Sequence, residues 1–94
     1  MSALLAIDQG TTSTRAIVFD HAGCKLGAHQ AELPQSFPRN GWVEHDPLRI
    51  WADTLACVRG ALAAAKLSAT QITALGITNQ RETTVIWNRK SGEP

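Results

Sequence analysis

The fold is decided by the stretch ALLAIDQGTTSTRAIVFD, residues 3–20, in which a short polar turn separates two apolar runs. The first run, residues 3–8, is typical of a buried strand, and the second begins at Thr14 and ends at Asp20. Gly10 lies between them and supplies the backbone freedom that a tight turn requires. The stretch therefore predicts a β-hairpin.

The residues that follow extend this hairpin by one strand. The turn HAGC has Gly23 at its centre and leads into KLGAHQAEL, residues 25–33, which alternates loosely between apolar and polar side chains. We therefore expect a meander of three antiparallel strands at the start of the chain.

The segment PQSFPRNGWVEHDP, residues 34–47, contains three of the chain's four prolines. Proline fixes φ and removes a backbone donor, so this segment does not suit a sheet ladder or a helix interior. It is interpreted as an ordered loop, in which Phe37 and Trp42 are expected to cover the edge of the core.

A helix is predicted over residues 47–66. Asp46 followed by Pro47 is typical of a helix N-terminus, because aspartate caps the first amides and proline is preset for the first turn. Apolar side chains then recur at helical spacing and predict one buried face: Trp51, Leu55, Val58 and Leu62.

Two further strands are predicted after the helix, ITALGIT at residues 72–78 and TTVIWNR at residues 83–89. A turn around Gly92 follows, and no returning strand comes after it within the 94 residues. Residues 83–89 are therefore expected to form an exposed edge strand, through which the chain self-associates.

Composition excludes several classes of protein. The 94 residues allow one core, and 44% hydrophobic with 18% charged residues is typical of a soluble globular domain. Nine basic and eight acidic residues give a net charge of +1 with no basic stripe, so nucleic acid is not expected as a partner. No run is long enough to span a membrane, and MSALLAI lacks the basic start of a signal peptide. The cytoplasm is the expected compartment.

Cys24 and Cys57 lack metal-site spacing, and the three histidines are isolated in the sequence. Free thiols in a reducing compartment are the expected state.

The turn DQGTTSTR, residues 8–15, combines an acidic residue, a glycine, hydroxyls and an arginine. Converging amides form an anion site, hydroxyl side chains add donors, and Arg15 neutralises charge, which together suit a phosphate. Asp8 suits a magnesium ion, directly or through water. No GxxxxGK[ST] motif is present, and an ordinary hairpin turn explains the same residues when they are considered alone.

Between the two later strands, TNQRETT, residues 78–84, replaces apolar side chains with polar ones. Arg81 and Glu82 are adjacent, so in an extended strand they would point to opposite faces. A bend would let the guanidinium donate to one hydroxyl and the carboxylate accept from its neighbour, as a polyol requires. A solvated turn or a weak surface ion pair is the alternative.

Three stretches together carry a resemblance to a known family: IDQGTTSTRAIVFD at 7–20, NGWVEHDP at 40–47 and GITNQRETTVIWNRKSGEP at 76–94. They resemble the FGGY family of sugar and polyol kinases from residue 6 to residue 94, and the third stretch is similar to its glycerol-phosphorylating members. The resemblance implies a ribonuclease H-like α/β fold of the actin, hexokinase and Hsp70 class, with a three-strand meander, a crossover helix and further strands.

The resemblance also implies roles for individual residues. Thr11, Thr12, Ser13 and Arg15 would bind the nucleotide, Asp8 would face Mg²⁺, and Arg81, Glu82 and Thr11 would bind glycerol. The implied reaction is phosphorylation of glycerol by ATP to sn-glycerol 3-phosphate, an in-line transfer that depends on positioning and charge stabilisation.

In such kinases the catalytic base is an aspartate far downstream. Residues 1–94 are therefore expected to be the N-terminal part of the first kinase domain, without the base or the second domain, and inactive alone. The full-length enzyme is expected to be a homo-oligomer. The alternatives are another kinase of the family, acting on a pentulose or other polyol, and a binding module that keeps the fold without catalysis.

Overall fold

A computed structural model of the chain describes residues 1–80 and 83–94. Within this part of the chain, four strands form one sheet, with the order β3-β2-β1-β4. The elements in chain order are β1 (Ala3–Gln9), β2 (Ser13–Phe19), β3 (Lys25–Glu32), α1 (Pro47–Ala65), a 3₁₀ turn (Ala69–Gln71) and β4 (Ile72–Thr78). The predicted meander and the crossover helix are confirmed.

The hairpin between β1 and β2 is antiparallel, and its last pairs are Asp8 with Arg15 and Gln9 with Thr14. Alternate side chains of these strands point toward α1, as the period of a β-strand requires. The helix covers that face of the sheet and encloses a small core: Ala3, Leu5, Ala16, Val18, Cys57 and Ala61.

Both ends of α1 are capped. At the N-terminus the Asp46 carboxylate accepts a hydrogen bond from Leu48 N at 3.0 Å, and Pro47 occupies the first turn, as predicted. At the C-terminus Lys66 adopts the left-handed conformation, with φ of 58°. Lys66 N donates to Ala63 O and Leu67 N to Leu62 O, which is the complete Schellman arrangement.

The predicted buried face of the helix is partly wrong. Asp53, Cys57 and Ala61 are the buried residues of α1, whereas Trp51 is 61% exposed. Val58 and Leu62 only flank the core, because the line of closest approach to the sheet passes along smaller side chains.

Gly27 on β3 explains why the buried residues of α1 have small side chains. A Cβ atom added to Gly27 on β3 would lie 2.6 Å from Ala65 N and 2.7 Å from Ala61 O, well inside van der Waals contact. The backbones of β3 and α1 therefore touch at Gly27, and larger side chains on the facing helix residues would separate them.

Strand β4 returns beside β1 in a parallel direction, with Asp8 next to Thr78. The carboxyl ends of two parallel strands lie at the same edge of a sheet. The chain after β1 and the chain after β4 therefore begin side by side, which places two of the polar motifs in one region.

The predicted strand at residues 83–89 is wrong, since residues 83–88 have no regular secondary structure. The edge of the described sheet next to β1 is β4, whose Leu75 and Ile77 are exposed. Val85, Ile86 and Trp87 are exposed without forming a ladder, so the basis for self-association through an edge strand here is lost.

The segment before α1 forms no helix or strand, as predicted, and an isolated antiparallel bridge joins Ser36 to Glu44. Phe37 and Trp42 do not cover the core, because they are 67% and 52% exposed. Trp42 instead lies under the Arg39 guanidinium, 4.9 Å from the ring centroid.

Both cysteines are free thiols, with Cys24 exposed and Cys57 buried. The described residues contain no group of three metal-binding side chains. None of the helices described is long and apolar enough to cross a membrane.

Candidate functional site

The β1–β2 turn, residues 10–12, presents the predicted phosphate-binding residues at the surface. Gly10 N donates to Ser13 O at 2.9 Å and closes the turn. Thr11 and Thr12 are exposed, and Ser13 is half-buried at the start of β2. The structure therefore brings these three hydroxyl residues together in one turn.

Every carbonyl of the turn accepts a hydrogen bond. Gly10 O accepts from the Gln9 amide at 3.2 Å, Thr11 O contacts His45 Nε2 at 3.0 Å, and Thr12 O accepts from Leu33 N at 2.8 Å. The donors come from three different parts of the chain, so the turn is held in one conformation.

Two backbone amides of the turn, unlike its carbonyls, remain available to a ligand. Within residues 1–80 and 83–94, Thr11 N and Thr12 N have no hydrogen-bond acceptor. Successive backbone N–H groups in a turn form a concave site for an anion. With its carbonyls bonded and two amides available, the turn can bind a phosphate oxygen.

Beneath the turn lies a polar network that the sequence analysis missed. The buried Gln9 side chain accepts from Thr14 Oγ1 at 2.8 Å, and Thr54 Oγ1 of α1 lies 3.4 Å away while donating to Ile50 O at 2.7 Å. Gln9 occupies the same face of β1 as Ala3 and Leu5, and a polar residue at an inward position was the signal that could have found it.

Cys57 lies next to this network and donates to Thr14 O at 3.4 Å. Burial raises the pKa of its thiol, and the nearby Asp53 carboxylate raises it further. The side chain is fully buried in the core, so Cys57 is a packing residue.

Asp8 and Arg15, predicted to serve metal and nucleotide, pair with each other across the hairpin. Arg15 Nη2 donates to Asp8 Oδ2 at 3.1 Å, and their side chains are 47% and 44% exposed. Mg²⁺ commonly binds one or two carboxylates together with waters and substrate phosphates. A single accessible carboxylate beside the β1–β2 turn fits that mode.

Arg81 and Glu82, the predicted polyol-binding pair, lie outside the described residues, so their roles stay predictions. The residues on either side of them are described. Thr78 ends β4 beside Asp8, and Thr83 Oγ1 donates to Gln80 Oε1 at 2.6 Å.

An open cleft of about 480 Å³ separates the end of the loop before α1 from the chain after residue 82. Polar side chains line it from both sides together with a similar area of apolar ones, among them Val43, Leu48 and Ile86. The polar residues of the lining are Glu44, His45, Asp46, Thr83 and Thr84.

Two bacterial glycerol kinases are similar to this chain over its whole length. It is 62% identical over 94 residues to a glycerol kinase from Delftia acidovorans and 60% identical to one from Polaromonas naphthalenivorans. In both cases the match covers 100% of this chain and 19% of the relative. The chain therefore spans about a fifth of the length of these relatives.

The fold agrees with this similarity. A crystal structure of Plasmodium falciparum glycerol kinase with ADP superimposes with a TM-score of 0.84 at 32% identity, over 100% of this chain and 19% of that one. The expected sugar-kinase type of α/β fold is confirmed. The model of the N-terminal domain of the FGGY family of carbohydrate kinases matches residues 3–94, and the chain belongs to that family.

Proposed function

We propose that the chain is the N-terminal part of the first domain of a glycerol kinase, which transfers the γ-phosphoryl group of ATP to glycerol and forms sn-glycerol 3-phosphate. The observation that carries the proposal is the β1–β2 turn, with bonded carbonyls and two amides that have no acceptor among the described residues. This arrangement suits the phosphates of a nucleotide, and relatives about 60% identical are named glycerol kinases.

In this proposal Thr11, Thr12 and Ser13 donate to nucleotide phosphate oxygens, and Arg15 balances their charge. Asp8 binds Mg²⁺, directly or through water, and the ion neutralises charge on the phosphates during transfer. The Asp8–Arg15 pair is half-exposed, so both groups can reach a ligand at little cost in solvation.

Glycerol would bind where the chain continues from β4. Thr78 lies beside Asp8, so Arg81 and Glu82 follow in sequence from the strand end nearest the phosphate turn. Arg81 would donate to one hydroxyl and Glu82 would accept from the next, with Thr11 contacting the group being phosphorylated. The catalytic base and the second domain would belong to the remainder of the longer protein, which we expect to be a cytoplasmic homo-oligomer.

The test uses the full-length product of the gene, with ADP release measured against glycerol and against a panel of pentuloses and other polyols. We expect turnover with glycerol and none from residues 1–94 alone. Glu82→Ala should raise the KM for glycerol much more than the KM for ATP. Turnover with a pentulose only would replace glycerol as the substrate, and the absence of ADP or ATP binding would favour a non-catalytic module.

A further inference from the structure

The motif NGWVEHDP, residues 40–47, has no part in the proposed reaction, yet one of its side chains contacts the phosphate-binding turn. His45 Nε2 lies 3.0 Å from Thr11 O, although the two residues are 34 positions apart in sequence. We propose that His45 is a positioning residue, which fixes the β1–β2 turn in the conformation that binds nucleotide. This inference rests on the proposed function.

The backbone of His45 is fixed on both sides. Glu44 is bridged to Ser36 by two hydrogen bonds of 2.8 and 2.9 Å, and Asp46 caps α1. The imidazole is half-buried and extends from this fixed point to the turn. Few rotamers of His45 would satisfy both constraints, so the contact restrains Thr11 and not only the loop.

The contact also determines the tautomer. A carbonyl oxygen accepts only, so Nε2 must carry the hydrogen and donate to Thr11 O. The Gln35 amide nitrogen lies 3.3 Å from the same imidazole nitrogen, so in the Nε2–H form two donors would face each other unless the amide is turned to present its oxygen. The proposed bond to Thr11 O therefore requires the Nε2–H form of His45, with the Gln35 amide oxygen facing it.

The effect of this bond on the site follows from peptide geometry. The Thr11 carbonyl belongs to the same peptide unit as Thr12 N–H, and a peptide unit is planar and trans. Fixing the carbonyl toward His45 therefore fixes the Thr12 amide in the opposite direction. Thr12 N is one of the two turn amides without an acceptor in the described part of the chain. His45 thus aims a phosphate donor without touching the phosphate.

The test compares variants of the full-length protein by ADP binding in calorimetry, with glycerol KM as a second readout. His45→Ala should weaken ADP binding about three- to tenfold, as loss of one hydrogen bond predicts, and raise the glycerol KM by a smaller factor. His45→Gln retains a side-chain N–H donor and should bind ADP more tightly than the alanine variant. His21→Ala is the matched control, since His21 is exposed and bonds Ser2 beyond the opposite end of β2.

Thr12→Val separates this inference from the proposed function. If Thr12→Val weakens ADP binding and His45→Ala does not, His45 has no positioning role and the phosphate turn survives as a proposal. If the wild-type protein binds no ADP, both fail. Equal losses for ADP and glycerol in His45→Ala would overturn the inference, because they would indicate general destabilisation.

The His45 tautomer can be measured in the wild-type protein, so this test does not depend on whether a variant folds. Histidine labelled with ¹⁵N reports the tautomer, and we expect the Nε2–H form at His45. The Nδ1–H form would mean that Nε2 presents a lone pair to a carbonyl, and the proposed bond would not exist.

Discussion

Arg15 donates to Asp8 across the first hairpin at 3.1 Å, so the residue proposed for the nucleotide and the residue proposed for magnesium are partners. Each side chain is nearly half-exposed. An ion pair in such contact with water contributes little to stability. The two side chains therefore separate at little cost in free energy when either binds a ligand.

This weak coupling is measurable. Arg15→Gln should change the free energy of unfolding by less than about 1 kcal/mol. Arg49→Gln should cost more, about 1–3 kcal/mol, because Arg49 bonds both oxygens of the Asp53 carboxylate, which is only 12% exposed and would lose its partner. Urea denaturation of both variants checks the order. Equal losses would show that the Asp8–Arg15 pair stabilises the fold.

The close packing of β3 against α1 requires a residue without a side chain at position 27, which is Gly27. Gly27→Ala should destabilise the protein by about 1–3 kcal/mol, because backbone atoms of Ala61 and Ala65 would have to move. Gly76→Ala is the matched control, since Gly76 also lies in a strand but has open space around its Cβ position. We expect Gly76→Ala to change stability by less than about 0.5 kcal/mol. A similar loss for both would contradict the close approach.

The end of α1 offers a stabilising substitution. Lys66 has a side chain in a left-handed backbone conformation that favours glycine. Lys66→Gly should raise the free energy of unfolding by up to about 1 kcal/mol, and Lys66→Ala should not, because alanine keeps the Cβ. Thermal denaturation of the two variants distinguishes relief of backbone strain from loss of the lysine charge.

Alkaline pH should destabilise the fold through Cys57. Its pKa is raised by burial and by Asp53, so the folded protein retains the thiol proton more strongly than the unfolded chain. The resulting stabilisation is complete below the unfolded pKa of about 8.5 and is lost as pH rises through the folded value. Urea unfolding at increasing pH should show this decline, and Cys57→Ala should reduce it. An unchanged pH dependence in that variant would contradict the assignment.

The hairpin, the helix bounds and the N-cap could be predicted from local sequence. Gly10 was expected to adopt a positive φ in the first turn, and this expectation is wrong, because the described glycines with positive φ are Gly23, Gly41 and Gly92. Asp46 with Pro47 begins the helix, as predicted, through its own side chain and ring. The prediction of a strand at residues 83–89 was wrong because a run of β-forming residues needs a neighbouring strand to pair with. Residues 83–88 have no such partner in the described chain. The predicted buried face of α1 was wrong at Trp51, because the spacing of apolar residues does not show which small residues contact the backbone of a neighbouring strand.

The sequence by itself determined which hydroxyl groups meet at the β1–β2 turn, because Thr11, Thr12 and Ser13 are adjacent in the chain. Tertiary structure alone decided what holds that turn: Gln9 from beneath, Leu33 at the end of the meander and His45 from a loop 34 residues away. Those contacts arise when the sheet, the loop and the helix pack together. A hydrogen bond between distant residues has no signature in local spacing, since the chain between them can follow many paths.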